Sequence, residues 1–135
     1  MAIPVRIDHA GFYVSDVDAS VAWYCEKLGL TLSHRGPVGA FLDVGDTILG
    51  LFPSVEARAN LAQQHIAFAV EDIEVCAEAL RANGVEIANG PAQLEAGYIA
   101  GQKFIDIVGP DGEYVEFVER PYLHPDPRSL HPSDS

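Results

Sequence analysis

Basic residues are scarce in this chain: 8 Lys and Arg stand against 20 Asp and Glu, for a net charge of −12. Nucleic-acid binding depends on neutralising phosphates with Lys and Arg, so this balance argues against that class of partner. The acidic excess serves solubility instead. Long apolar runs are missing too; none approaches the roughly 20 residues that a membrane span requires. The amino terminus carries no basic stretch ahead of an apolar signal segment. Together these absences predict a cytoplasmic protein with no membrane partner. Cysteine is equally sparse. Cys25 and Cys76 are the only two and make no CxxC pair, which argues against a cysteine zinc site and predicts reduced, partly buried thiols.

What is present fits one globular domain. The chain has 135 residues, 48% hydrophobic and 21% charged, enough to bury a core. It also repeats itself. His9-Ala-Gly-Phe-Tyr-Val-Ser-Asp16 is answered by His65-Ile-Ala-Phe-Ala-Val-Glu-Asp72. After each Asp an apolar stripe at helical spacing follows: Val17, Val21, Tyr24 and Leu28, then Ile73, Cys76, Ala77 and Leu80. Gly29 and Gly84 suit the left-handed residue that closes a helix.

Strands are predicted at 30–34 and 85–88 after the two helices. Phe41-Leu42-Asp43-Val44 is matched to Phe104-Ile105-Asp106-Ile107, each followed by a turn and a last strand. The expected fold class is therefore α+β, two tandem βαβββ modules forming a cleft-like incomplete barrel. The modules span about 5–53 and 64–119 within a single domain of residues 1–120, joined near Pro53 to Gln64. The tail 121–135, rich in Pro, Ser, Asp and His, shows no periodicity. It reads as loosely ordered, or as an arm laid on a neighbouring subunit.

Side chains alternate faces along a strand. Ala10, Phe12 and Val14 make one apolar face under the first helix, which leaves His9, Gly11 and Tyr13 on the other. In the second repeat Ile66, Phe68 and Val70 face the helix, leaving His65, Ala67 and Ala69 opposite. Glu116 shares a face with Tyr114 and Val118. Each histidine has a very small residue two positions on, which leaves room beside the imidazole. A lone strand His is ordinarily a solvated polar residue. A matched pair with a carboxylate on a terminal strand points instead to a metal site at His9, His65 and Glu116. Imidazole and carboxylate suit iron(II), manganese, cobalt, nickel or zinc, and two His with one carboxylate is the usual non-haem iron(II) arrangement.

Ile7-Asp8-His9, the segment Ala22 to Leu30, His65 with Asp72, and Gly109-Pro110-Asp111-Gly112 leading to Glu116 resemble the vicinal oxygen chelate superfamily. That group includes glyoxalase I, methylmalonyl-CoA epimerase, extradiol dioxygenases, fosfomycin-resistance thiol transferases and metal-free bleomycin-binding proteins. The resemblance covers residues 5 to about 120. It implies metal ligands on the first and last strand of each module, at His9, near Gly50, at His65 and at Glu116. Gly50 departs from the pattern, because the glyoxalase and epimerase look-alikes carry Glu or Gln there. Three ligands match the extradiol and fosfomycin-resistance enzymes. The latter need a cationic cluster, whereas only Lys103, Arg120 and Arg128 are near, and Lys103 falls on the face of Ile105 and Ile107.

The leading expectation is a small divalent-metal enzyme, iron(II) favoured, acting on a small substrate through two oxygens by extradiol-type chemistry on an aromatic diol. Glyoxalase-like lyase or isomerase chemistry is the first alternative. A metal-free binder of drugs or natural products, resembling bleomycin-resistance proteins, is the second. Tyr13, Phe41, Phe52 and Phe104 are the candidate substrate-binding aromatics, although core packing explains aromatics equally well. Asp43, Asp106 and Tyr114 are the candidate proton-handling residues. His34 and Tyr98 lie near strand ends or loops, and His124 and His131 in the tail read as solvated. A homodimer is expected, with sites closed either within one chain or by exchange of modules between two.

Overall fold

The structure, a computed structural model, describes residues 7–54, 61, 64–95 and 101–120. The elements run β1 (His9–Val14), α1 (Val17–Leu28), β2 (Thr31–Arg35), β3 (Ala40–Val44), β4 (Thr47–Pro53), β5 (His65–Ala69), α2 (Ile73–Ala82), β6 (Asn89–Gln93), β7 (Lys103–Val108) and β8 (Tyr114–Glu119). This is βαβββ twice over. Each copy forms its own four-stranded mixed sheet, in the orders β1-β4-β3-β2 and β5-β8-β7-β6, and neither sheet closes on itself. The chain divides into two compact units: residues 1–64 with 109–113, and residues 65–108 with 114–135. No helix among the described residues is long and apolar enough to cross a membrane.

In the first unit Phe12, Val14, Leu42, Leu49 and Leu51 are buried with Val17 and Tyr24 of α1. Asp16 caps the helix by accepting from the Ala19 N–H at 3.0 Å, and Gly29 ends it at φ 76°. The predicted stripe holds at Val17 and Tyr24, while Ser20 is buried and Val21 and Leu28 are half-buried.

In the second unit Ile73, Ala77 and Leu80 of α2 are buried, as are Ile105, Ile107, Val115 and Phe117 of the sheet. Two carboxylates serve the α2 amino end. Asp72 accepts from the Glu74 and Val75 N–H groups at 2.9 and 3.1 Å, and Glu119 accepts from the Ile73 N–H at 2.8 Å. Both cysteines are free and half-buried, as expected.

Two strands differ from the expected spans. β2 runs one residue later than 30–34. β6 occupies Asn89–Gln93 instead of 85–88. Here the Val85 N–H turns back to the Leu80 carbonyl at 2.9 Å, closing the helix, and the ladder opens only at the Ala88 N–H, which reaches the Asp106 carbonyl at 2.8 Å. The observed segment contains Gly90 and Pro91, poor strand formers that an edge strand accommodates. Tyr98, His124, Arg128, His131 and the tail lie outside the described residues.

Candidate metal and substrate site

On the face of the second sheet away from α2, the ladder aligns Ala67, Glu116, Asp106 and Asn89 in one row across β5, β8, β7 and β6. His65 and Tyr114 are opposed in the next row, so His65 is the diagonal neighbour of Glu116. The Asn89 amide donates to Asp106 Oδ2 at 3.3 Å. Glu116 stands directly opposite Asp106 in turn, and its pKa is raised. Burial is the larger cause and the adjoining Asp106 carboxylate the next, against the opposing pull of His65 and Arg120. The cause is elementary: two carboxylates set side by side on a partly dry surface resist ionising together. A cation placed there would relieve the same repulsion.

His65, Glu116 and Asp106 thus offer the donor chemistry a divalent metal takes. His65 with Glu116 would hold it, and Asp106 would orient the Glu116 carboxyl. Among the described residues no three His, Cys, Asp or Glu side chains group closely enough to hold an ion. Tyr114, 47% exposed, stands on the His65 side of this face. Phe104 is half-buried on it, opposite Val118 and beside Asp106 in β7.

The first sheet presents the matching face. His9 is exposed, and its Nδ1 meets Asp8 Oδ2 at 3.0 Å. A carboxylate on Nδ1 holds the imidazole with Nε2 free for an ion, the usual arrangement behind a ligating histidine. Next to it runs a row of Gly11, Gly50, Phe41 and His34 across β1, β4, β3 and β2. Phe52 lies edge-on to Phe41, with ring centroids 5.7 Å apart at 81°, and His34 stacks on Phe41 at 6.5 Å and 28°. Tyr13 opposes Phe52 and is 43% exposed. Tyr13, Phe41 and Phe52 therefore gather on this face, whereas Phe104 and Tyr114 lie on the other sheet.

One pairing expected from sequence is displaced. Asp43 and Asp106 are not equivalents. Asp106 opposes Glu116, whereas Asp43 opposes Ile48, whose counterpart is Tyr114. The register equivalent of Asp106 is Phe41. The matching slipped by two residues, because the first hairpin closes over Gly45 and Asp46 while the second takes residues 109–113. A slip of two preserves the face, so both Asp residues still point away from their helices. Asp43 is exposed and sits two strands from His9, about 10 Å at ordinary strand spacing. It does not reach that imidazole directly.

Sequence reasoning missed two partners on these faces. Asp8 was visible as the immediate neighbour of His9. Asn89 was not, because it lies in the strand whose position was misjudged. A shallow hollow lined by Ile73, Glu74, Pro91, Ala92, Gln93 and Lys103 lies on the helix side of the second sheet, away from the Glu116 face.

The sequence model of the Glyoxalase/Bleomycin resistance protein/Dioxygenase superfamily matches residues 6–117. The chain belongs to this superfamily.

Among curated relatives, the uncharacterized protein YwbC of Bacillus subtilis is 35% identical over 127 residues, covering 85% of this chain and 98% of its own. A probable lactoylglutathione lyase of Vibrio cholerae is 26% identical, with coverages of 88% and 94%. The glutathione transferase FosA of Serratia marcescens is 39% identical over 88 residues, covering 60% and 62%. A solved superfamily structure from Nocardioides is similar at a TM-score of 0.69 and 26% identity, covering 93% of this chain and 91% of that one. The relatives' names differ in activity, from lyase to glutathione transferase.

Proposed function

We propose that this superfamily member is an enzyme that holds a divalent metal ion, with His65 and Glu116 supplied by the second unit and His9 by a first unit. Its substrate would be a small molecule bound through two neighbouring oxygens. The observation that carries the reading is the row of Glu116, Asp106 and Asn89 beside His65, with the Glu116 pKa raised by burial and by Asp106. The ion supplies Lewis-acid stabilisation of charge developing on the substrate oxygens. The protein's own part is positional. Asp8 orients His9, Asn89 and Asp106 orient Glu116, and Tyr13, Phe41, Phe52 and Phe104 offer surface to an apolar substrate part.

Two finer readings rest on different observations. The ring cluster of Phe52, Phe41 and His34 favours an aromatic diol, hence extradiol-type cleavage with iron(II). The opposed Asp106–Glu116 pair favours proton transfer, hence glyoxalase-like lyase or isomerase chemistry, in line with the name of the V. cholerae relative. Asp43 and Tyr114 stay as secondary proton-handling candidates, Asp43 acting only through an intervening group.

The test is metal analysis of gently purified protein, followed by anaerobic loading with iron(II), manganese, nickel or zinc. Loaded protein is then offered catechols with oxygen-uptake recording, and hemithioacetals with lyase recording. The metal reading predicts one bound equivalent, lost in His9→Ala, His65→Ala and Glu116→Ala. Oxygen uptake on catechols selects the first finer reading and hemithioacetal turnover the second. Failure to bind any metal, with an aromatic ligand bound equally well by all three variants, would replace the enzyme by a metal-free binder. We propose a homodimer as well, and sedimentation of the same samples reads it.

A further inference from the structure

The two sheets share one strand order and one register, so each position in one names its counterpart in the other. Gly11, Gly50, Phe41 and His34 answer Ala67, Glu116, Asp106 and Asn89. His9 opposes Ile48 as His65 opposes Tyr114. A donor at position 50 would therefore stand to His9 as Glu116 stands to His65.

That place is taken. A Cβ on Gly50 would meet Phe52 Cε2 at 2.6 Å and Cζ at 2.8 Å. The same ring lies 2.9 Å from where a Cβ on Gly11 would be, and 2.9 Å from one on Gly39, which would first meet the Leu51 carbonyl oxygen at 2.7 Å. Three residues without side chains thus make a slot in which one ring lies against the sheet. Gly50 is buried beneath it, and Phe41 meets the ring edge-on from the side. Neither Gly11 nor Gly50 has a positive φ, so turn geometry does not demand glycine there. Room for the ring does.

We infer that Phe52 determines how many donors the first unit can offer, holding it to His9 alone by filling the space that a side chain at position 50 would need. The inference rests on the metal reading above and concerns only this chain's own residues. Beside His9 the first unit then presents a ring face, where the second unit has a carboxyl pair beside His65. A substrate with a flat apolar part suits that ring face, against which it can pack.

The test compares wild type with Gly50→Glu, Phe52→Ala and the double variant G50E/F52A, using cobalt(II) as the probe. Affinity comes from chelator competition, coordination from visible absorption per bound cobalt, and stability from urea unfolding. Gly50→Glu alone binds cobalt no more tightly than wild type and loses stability, since the new side chain and the ring compete for one space. In G50E/F52A the added carboxylate binds, and affinity rises about tenfold or more, the lower end of what even an outer-shell partner is worth. The absorption per cobalt changes with it. Should Phe52→Ala fail to fold, Phe52→Val, a better strand former, takes its place.

Equal tightening by Gly50→Glu alone overturns the inference, because the ring then yields freely. So does a double variant that binds no better than a cobalt-binding wild type. A wild type that binds no cobalt overturns the metal reading, and this inference with it, a result distinct from the other two.

Discussion

The phenol of Tyr24 in α1 donates to the Glu113 carboxylate at 3.0 Å across 89 residues of sequence, and both side chains are fully buried. The other Glu113 oxygen accepts from the Asp111 N–H at 2.9 Å. A buried carboxylate is tolerated only when donors replace its water, and here two do. Burial, followed by the Glu113 charge, pushes the Tyr24 phenol well above its ordinary value.

Tyr24→Phe removes one of those donors and leaves the carboxylate short. Hydrogen bonds to charged groups contribute about 1.5–3 kcal/mol, so urea unfolding at neutral pH should show a loss of that size. The pH dependence has a definite sign. A phenol whose folded pKa exceeds its unfolded value of about 10 stabilises the fold fully below that value, and the contribution falls away as pH rises beyond it. Wild type should therefore lose stability on approach to strongly alkaline pH faster than Tyr24→Phe does.

Gly109 backs the same carboxylate. A Cβ there would stand 2.4 Å from Glu113 Cδ and 2.5 Å from Oε1, and Gly109 is buried with no positive φ. Gly109→Ala should destabilise by about 1–3 kcal/mol through overpacking alone. The check is its thermal unfolding beside Gly36→Ala, where the nearest atom, His34 Nε2, belongs to an exposed side chain at 3.1 Å. Equal effects would contradict the overpacking account.

As the proposed metal ligand, Glu116 would set function against stability. Its raised pKa means that folding favours the protonated form. That contribution is fully present below the unfolded value and is lost as pH rises through the folded one. Metal-free Glu116→Gln should thus unfold at higher temperature than metal-free wild type at pH 7, with the gap narrowing on acidification toward pH ~4, near the unperturbed carboxyl value. In the presence of a bound metal the order should reverse. Scanning calorimetry across pH, with and without chelator, reads both.

The α2 cap is a simpler case. Asp72 accepts from two backbone N–H groups, so Asp72→Ala should cost about 1 kcal/mol, the usual value of a lost N-cap. Asp72→Asn should recover most of it, because the amide oxygen can accept in the same place. Urea midpoints of the three proteins decide.

Which strand face carries each candidate residue was readable in the chain, for reasons visible in particular residues. His9, Gly11 and Tyr13 alternate with Phe12 and Val14, and the burial of the latter two confirms which face is which. The same holds for Glu116 between buried Val115 and Phe117. Alternation is a property of one strand and needs no partner to be seen. Partners were harder. Asn89 was lost because Gly90 and Pro91 make β6 look unlike a strand. Asp43 was matched to Asp106 because both follow an aromatic and an aliphatic residue, a likeness that ignores the longer second turn.

Sequence alone determined the two βαβββ modules, the helix stripes and the shared face of each histidine, because all of these follow from periodicities of 2 and 3.6 residues within single segments. Tertiary structure decided the rest: which carboxylate stands beside Glu116, which ring covers Gly50, and which phenol satisfies Glu113. Each depends on where one strand stops against another, and on space vacated by residues distant in the chain. Such space belongs to the pairing of strands, so it exists only once the sheets have formed.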